Sequence, residues 1–545
     1  MTILRKPFGK LFFAVLTGLL LTAAWSPSLF APLVFVGFVP LLLVLDFIFH
    51  DDKKRKGLRS FGIVFFSLLI WNIGATWWVY YSSQWGSVAA FGFNTLFMAI
   101  VFQFAYFTKK RCGATIGNIA LVIYWIAFEY LHLHWELSWP WLTLGFSFAS
   151  FPSWMQWYEY TGVLGGSVWV WVVNILIYNL IKNILYNRPF YWKKRTVVIL
   201  AFIVIPMEVS LLIYNSFKET KAPVNVVIVQ PNIDPYNEKF SGNDAEQLDK
   251  MLALAKQQVD TNTDYVVFPE TALAEAIWEE FLESSPSIQT IKKFMKPFPK
   301  LNFVCGMSSQ KRFKLGDTIP ITARKSDATA TSFIDDYNAS FQIDNTGRIQ
   351  LYHKSKLVPG AEMMPYPKVF SFLGRFAVEL NGTASSYGTQ KDRTIFNSIN
   401  SKNKIGTAIC YESIYGDFLS EWVRKGANLL FIITNDGWWH DTPGHIQHCA
   451  YGRLAAIEFR RSIARSANTG ISCFINQRGD FILPTTYWEA AVIKANINAN
   501  TDLTFYAKHG DYLGIIAAMI AVAAVLLLIL GAIIKRNPAG STTEL

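Results

Sequence analysis

The stretch Thr196–Asn232, TVVILAFIVIPMEVSLLIYNSFKETKAPVNVVIVQPN, joins two unlike kinds of sequence. Residues 196–215 form an apolar run close to the roughly 20 residues a helix needs to cross about 30 Å of hydrocarbon. From Val224 the texture changes. Val224–Val229 is a short β-branched run that reads as a buried strand, and it ends in Gln230-Pro231-Asn232. The fold is divided here: membrane helices before, an α/β domain after.

Working outward, six more apolar runs lie upstream at roughly 10–26, 30–50, 60–82, 87–108, 114–134 and 161–186, and an eighth lies at roughly 513–534. The first has Arg5, Lys6 and Lys10 ahead of it, as a signal peptide would, but six further spans follow it and no small-x-small cleavage site precedes them. It is expected to stay as a span. Of 545 residues, 52% are hydrophobic and 16% charged, the latter below the ~25% typical of soluble domains. That excludes a disordered chain, a low-complexity or collagen-like chain and an ordinary cytosolic enzyme.

The formal charge of +11 has a place. Lys and Arg crowd the short segments beside the apolar runs (Arg5 to Lys10, Lys53 to Arg59, Lys109 to Arg111, Lys182 to Arg195, Lys535 and Arg536), while Trp25–Pro32 and Tyr81–Ser87 carry none. This alternation sets topology, and it argues against nucleic acid as a partner. Both termini are expected in the cytoplasm and 217–510 on the opposite face, which in a bacterium is the periplasmic side of the inner membrane. The loop after the fifth span, with Trp135, Trp139, Trp141, Trp154 and Trp157, fits an interfacial aromatic belt or a re-entrant, lipid-contacting platform.

In the soluble part, strands are expected at Tyr265–Phe268, Asn302–Cys305, Ser340–Ile343, Ile349–Tyr352, Ile405–Ile409, Leu429–Ile433, Ile471–Ile475 and Phe481–Leu483. Helices are expected at about 243–259, 287–295, 415–425 and 445–463. Their alternation gives an α/β domain over 222–508, after a seven-helix membrane domain at 1–216 and before a last helix at 512–535.

Strand ends held by a rigid scaffold are where catalytic groups favour sitting. Three of them present Glu270, Lys354 and Cys410. A thiol needs a base or a positive neighbour to react, so carboxylate, ammonium and thiol make a nucleophilic set. The five cysteines are odd in number and without CxxC, which argues against a disulfide framework or a zinc site. His445 and His448 have helical metal-pair spacing with no third ligand at a usual distance, and Arg453, Arg460, Arg461 and Arg465 are expected to be mostly structural.

Phe268-Pro269-Glu270-Thr271, then Tyr352-His353-Lys354-Ser355-Lys356-Leu357-Val358-Pro359 with Glu362, then Cys410-Tyr411-Glu412, resemble the three signature regions of the carbon–nitrogen hydrolase (nitrilase) superfamily. Thr434-Asn435-Asp436-Gly437-Trp438 resembles its fourth. With seven spans before this domain, one after, and Pro140-Trp141-Leu142 followed by Leu144-Gly145-Phe146, nearly the whole chain resembles the apolipoprotein N-acyltransferase family.

The resemblance implies an eight-helix transmembrane bundle carrying a nitrilase-like αββα sandwich. It implies Glu270 as general base, Lys354 as oxyanion stabiliser and Cys410 as nucleophile, with Glu362, Tyr411 and Glu412 in support. It implies a phospholipid acyl donor and a diacylglyceryl-modified lipoprotein as acceptor; no cofactor or metal is expected, and a monomer is. Phe240, Met363, Met364, Trp438 and Trp439 are candidates for lid or lipid contacts, the methionines opening an apolar arm that runs on to Phe376. Lys356 stands where many members have His, Pro359-Gly360-Ala361-Glu362 replaces Pro-Phe-Gly-Glu, and Phe240 replaces a Trp. A membrane-tethered amidase is the alternative with the same triad.

Overall fold

The structure, a computed structural model, describes residues 2–26, 30–187, 191–314, 316–326, 332–367 and 386–536. Among them eight helices are long and apolar enough to cross a membrane: Pro7–Ala24, Ala31–His50, Lys56–Thr76, Gln84–Cys112, Ala114–His134, Tyr158–Leu185, Trp192–Ser216 and Tyr512–Gly531. Each apolar run of the sequence falls on one of them. Small residues let the helices approach, as packing in lipid demands. A Cβ on Gly18 would lie 2.6 Å from Ile70 Cβ and 2.8 Å from the Ser67 carbonyl of the third span. Rings fill the centre, with Phe38 stacked on Trp171 at 4.3 Å and Trp125 5.2 Å from Trp171. At the Lys/Arg-bearing end, buried Asp46 is paired with Lys109 at 2.9 Å and Lys182 at 2.8 Å, tying the second, fourth and sixth spans.

The α/β domain is two stacked sheets. The first holds β1 (Pro223–Gln230), β2 (Tyr265–Val267), β3 (Leu273–Trp278), β4 (Asn302–Lys314), β5 (Arg324–Lys325), β6 (Ser332–Asp344) and β7 (Ile349–His353). The second holds β8 (Phe396–Asn397), β9 (Lys404–Ile409), β10 (Leu429–Thr434), β11 (Ile463–Ala467), β12 (Cys473–Ile475) and β13 (Phe481–Ile482), while β14 (Ala491–Asn498) returns to pair antiparallel with β1. The strands β1, β2 and β4 are parallel neighbours, as are β9, β10 and β11.

β1 is apolar without alternation because both its faces are covered. Val224, Val226 and Ile228 face the core between the sheets, whereas Val227 and Val229 pack under α1 (Asp244–Lys256) and α2 (Pro286–Met295) with Met251, Ile288 and Ile291. On the other side, Phe431 of β10 meets Tyr265 of β2 at 5.3 Å, and Ile432 faces outward to Gly452 of α4 (Pro443–Phe459); α3 (Gly416–Arg424) lays Trp422 over Gly406 of β9. Helix, sheet, sheet, helix is the expected αββα order.

Three readings of the sequence change. The helix expected to reach 463 stops at Phe459, because Arg460 turns left-handed (φ 49°) and Ile463 starts β11. The strands β3 and β14 carried too little alternation to be noticed. The tryptophan-rich loop is neither a belt nor a lipid platform at its centre: Trp141 is 1% exposed and forms the seam between the halves. Trp141 Nε1 donates to Gln447 Oε1 of α4 (2.7 Å), Gln447 Nε2 donates to the Trp25 carbonyl, and Tyr451 OH donates to the Trp141 carbonyl. Arg460 reaches Glu159 at 2.7 Å and Gln156 at 2.6 Å. α4 is therefore the face by which the domain sits on the bundle.

Candidate active site

Four chain segments leave strand ends on the same side of the sandwich. The chain after β2 turns sharply through Pro269-Glu270-Thr271, with Thr271 in the left-handed region at φ 43°. The turn lies directly on β4, where only glycine fits: a Cβ on Gly306 would stand 2.5 Å from the Pro269 carbonyl oxygen and 2.7 Å from Glu270 Cα. β7 delivers Lys354, β9 delivers Cys410 and β10 delivers Asn435.

Lys354 is 1% exposed and donates to Glu270 Oε1 (3.0 Å) and Glu362 Oε1 (2.8 Å). Asn338, in the middle of β6, donates to the same two carboxylates at 2.8 and 3.2 Å. Glu270 Oε2 accepts from the backbone N–H of Asn435 (3.1 Å), and Glu362 Oε2 from that of Val358 (2.8 Å). Burial works to raise the Glu270 carboxyl, but Lys354, Asn338 and Lys239 outweigh it and hold it below the usual value. Burial works to lower Lys354, and Glu270 and Glu362 override it, so the ammonium is held well above the ordinary lysine range.

Cys410 follows β9 at φ 52°, a rare conformation for a residue with a side chain and one that clusters where function fixes the backbone. It is partly exposed. Burial and the Glu270 charge push its thiol up, against Lys354. The resting site is thus carboxylate, ammonium and neutral thiol: a base without its proton beside a nucleophile that still has one. Its carbonyl accepts from Ser413 Oγ (2.7 Å) and lies 3.3 Å from His448 Nε2. His448 Nδ1 in turn is 2.9 Å from Asp436 Oδ1, and Arg465 donates to Asp436 Oδ2 at 2.6 Å. His448 therefore serves the Cys410 turn, while His445 stacks on Tyr487 at 4.0 Å. Arg453 and Arg461 donate to the carbonyls of Gly479 and Ala427.

Glu412 fixes the relation of two strand ends. Its Oε2 accepts from the Ile409 N–H (2.8 Å), next to the nucleophile; its Oε1 accepts from Tyr352 OH (2.6 Å) and the Ser355 N–H (2.6 Å), on either side of Lys354. Tyr411 turns away from the triad and donates to the Ser138 carbonyl of the membrane half at 2.9 Å. Lys356 reaches the Leu133 carbonyl at 3.2 Å.

Of the expected lid residues, Phe240 is 58% exposed and stacks on Trp438 at 6.2 Å, and Tyr236 OH donates to the Trp438 carbonyl. Trp439 belongs to the seam, 4.7 Å from Trp78 and 5.6 Å from Trp141. Met363 and Met364 are half-buried. Two residues on, Tyr366 N–H donates to Glu136 Oε2 of the membrane loop at 2.5 Å. Phe370 to Phe376 lie outside the described residues. Sequence reasoning missed Asn338, Lys239 and the Asp436–His448–Arg465 chain. Asn338 had no signal of its own, since its strand also carries Asp335, Asp336, Ser340 and Gln342; Lys239 had only its place next to Phe240.

The carbon-nitrogen hydrolase family model matches residues 225–504, and the apolipoprotein N-acyltransferase N-terminal domain model matches residues 17–176. The apolipoprotein N-acyltransferase of Chlorobaculum tepidum is 30% identical over 544 residues, covering 96% of this chain and 97% of that one. That of Geobacter metallireducens is 24% identical over 520 residues, covering 91% of each. A solved structure of Saccharomyces cerevisiae Nit3, of the nitrilase superfamily, aligns over 54% of this chain and 96% of its own with 13% identity and a TM-score of 0.36.

Proposed function

The chain belongs to the apolipoprotein N-acyltransferase family within the carbon–nitrogen hydrolase superfamily, and we propose that it works by ping-pong acyl transfer at the outer leaflet of a bacterial inner membrane. It is a multi-pass membrane protein and an acyltransferase. We assign residues 1–216 to the membrane domain, 222–508 to a catalytic domain on the periplasmic side and 512–535 to the last span. The orientation rests on the Lys/Arg-bearing ends of the spans lying opposite the catalytic domain.

In the first half-reaction, Glu270 takes the Cys410 proton as the sulfur attacks an ester carbonyl of a phospholipid. Lys354 and the backbone N–H after the nucleophile stabilise the tetrahedral oxyanion. The carbon–oxygen bond breaks, Glu270 returns the proton to the leaving alkoxide, and a thioester and a lysophospholipid result. In the second half, the α-amine of a diacylglyceryl-modified N-terminal cysteine attacks the thioester. Glu270 receives the amine proton, Cys410 leaves as thiolate and is reprotonated, and the product is an amide. Two lipids thus use one site in turn. Phe240, Trp438, Met363 and Met364, apolar and partly open, serve as the lipid-facing entrance, and a monomer suffices.

The observation that carries this reading is a Glu270–Lys354–Glu362 network, buried at Glu270 and Lys354, beside a strained Cys410 turn, in a domain seated on an eight-span bundle. The test is purified protein in vesicles containing a phospholipid with a labelled acyl chain, with and without a diacylglyceryl lipopeptide. Label appearing in amide linkage on the lipopeptide is expected. Release of labelled free fatty acid at the same rate without lipopeptide would contradict transfer.

A further inference from the structure

Lys239 stands in the loop after β1, one residue before exposed Phe240, yet its own side chain is only 2% exposed. An aliphatic stem can hide while an ammonium stays in water; this ammonium does not. Nζ turns inward and donates to the backbone carbonyl of Glu270 at 2.8 Å, a tie between the loop and the left-handed turn that presents the base. The charged and titratable groups that face it are Glu270, Cys305 and Cys410. The charges that act most on the Cys410 thiol are those of Glu270, Lys354 and Asp436, and the Lys239 ammonium adds a weaker positive one. Lys354 is spoken for by two carboxylates, whereas the bond to Lys239 is made by a neutral carbonyl. Its charge is left to act on its surroundings.

Resting on the reading of Cys410 as the nucleophile, we propose that Lys239 is a positioning residue that pins the Glu270 turn and supplies a second positive charge to the Cys410 thiolate. The loop that carries it also carries the Phe240–Trp438 stack. Docking of that loop over the site and activation of the thiol are then one event: a displaced loop takes the second cation away and leaves a reluctant thiol. Burial pulls Lys239 down to about 8, against Glu270, Cys305 and Cys410, so the charge is present at neutral pH and fades as the medium turns alkaline.

The experiment reads the thiol directly. In full-length protein carrying Cys112→Ser, which removes the exposed cysteine, the rate of iodoacetamide labelling of Cys410 is followed at about pH 7, where the Lys239 ammonium is charged, by peptide mass spectrometry. A cation that stabilises the thiolate raises the fraction of thiolate at that pH, so its loss slows labelling. Lys239→Met is expected to slow labelling roughly tenfold, and Lys239→Arg to return it to within about threefold of the parent. Lys239→Gln provides the same comparison should the Met variant fail to fold. Folding is checked by continued protection of buried Cys305, Cys449 and Cys473. A labelling rate at about pH 7 unchanged in a folded Met or Gln variant, or an Arg variant as slow as the Met one, overturns the assignment. Phospholipid acylation of Cys410 in the parent tests the underlying reading separately, since labelling needs no lipid.

Discussion

Glu412→Gln changes one atom and sets a conflict that the amide cannot resolve. The carboxylate takes donors on both oxygens: Ile409 N–H on one, Tyr352 OH, Ser355 N–H and Lys356 N–H on the other. The residue is fully buried, so water cannot substitute. An amide accepts on one side only. If its oxygen stays toward Tyr352 and Ser355, its NH2 faces the Ile409 N–H and that donor is orphaned. If it flips, the three donors on that side lose their acceptor. The better choice still loses one bond to a charged acceptor, about 1.5–3 kcal/mol, and leaves an unsatisfied buried N–H. The two strand ends it ties carry Lys354 and Cys410, so part of that loss appears in the barrier. Melting temperature and single-turnover acylation of Cys410 by phospholipid are the assays. A lower melting temperature and roughly ten- to a hundredfold slower acylation are expected, each tenfold corresponding to about 1.4 kcal/mol. A variant that melts and acylates as the parent does would refute Glu412 as the brace between the two strand ends.

Three further outcomes are expected. Lys354→Met removes an oxyanion donor, and single-turnover acylation should fall by about 10²–10³-fold, corresponding to ~2.7–4 kcal/mol; a loss under tenfold would remove Lys354 from that role. Because Glu270 is held below the carboxylate value of 4.5 and acts unprotonated, the acid limb of the acylation rate should lie below pH 4.5, and the stability its ion pair contributes should be lost only as pH falls through that same depressed value; an acid limb near pH 6 contradicts this. Gly306→Ala puts a methyl against the backbone of the Glu270 turn, which must shift, so acylation should drop well beyond what any change in melting temperature accounts for.

Much of this molecule can be read from its sequence where a physical length or a reactive group leaves a mark. Hydrocarbon thickness sets the run at 196–215 and its seven companions, and each is a helix. A β-branched run without alternation is a strand covered on both faces, as in β1. Glu270, Lys354 and Cys410 come from distant stretches, and only the motif resemblance joined them; the contact through Asn338 lies in three-dimensional pairing that spacing does not encode. Trp141 misled because a tryptophan facing lipid and one facing another domain look alike in composition. Lys239 was hidden for a related reason: the sequence gives a charged loop residue, and only the fold turns its amine inward.

The central claim is tested most directly by the mass of the Cys410 peptide after the purified protein meets phospholipid without an acceptor amine. The account predicts one fatty acyl group on Cys410, labile to hydroxylamine as a thioester is, lost on addition of the lipopeptide and absent from Cys410→Ala. An unmodified Cys410 in protein that still acylates the lipopeptide would contradict it.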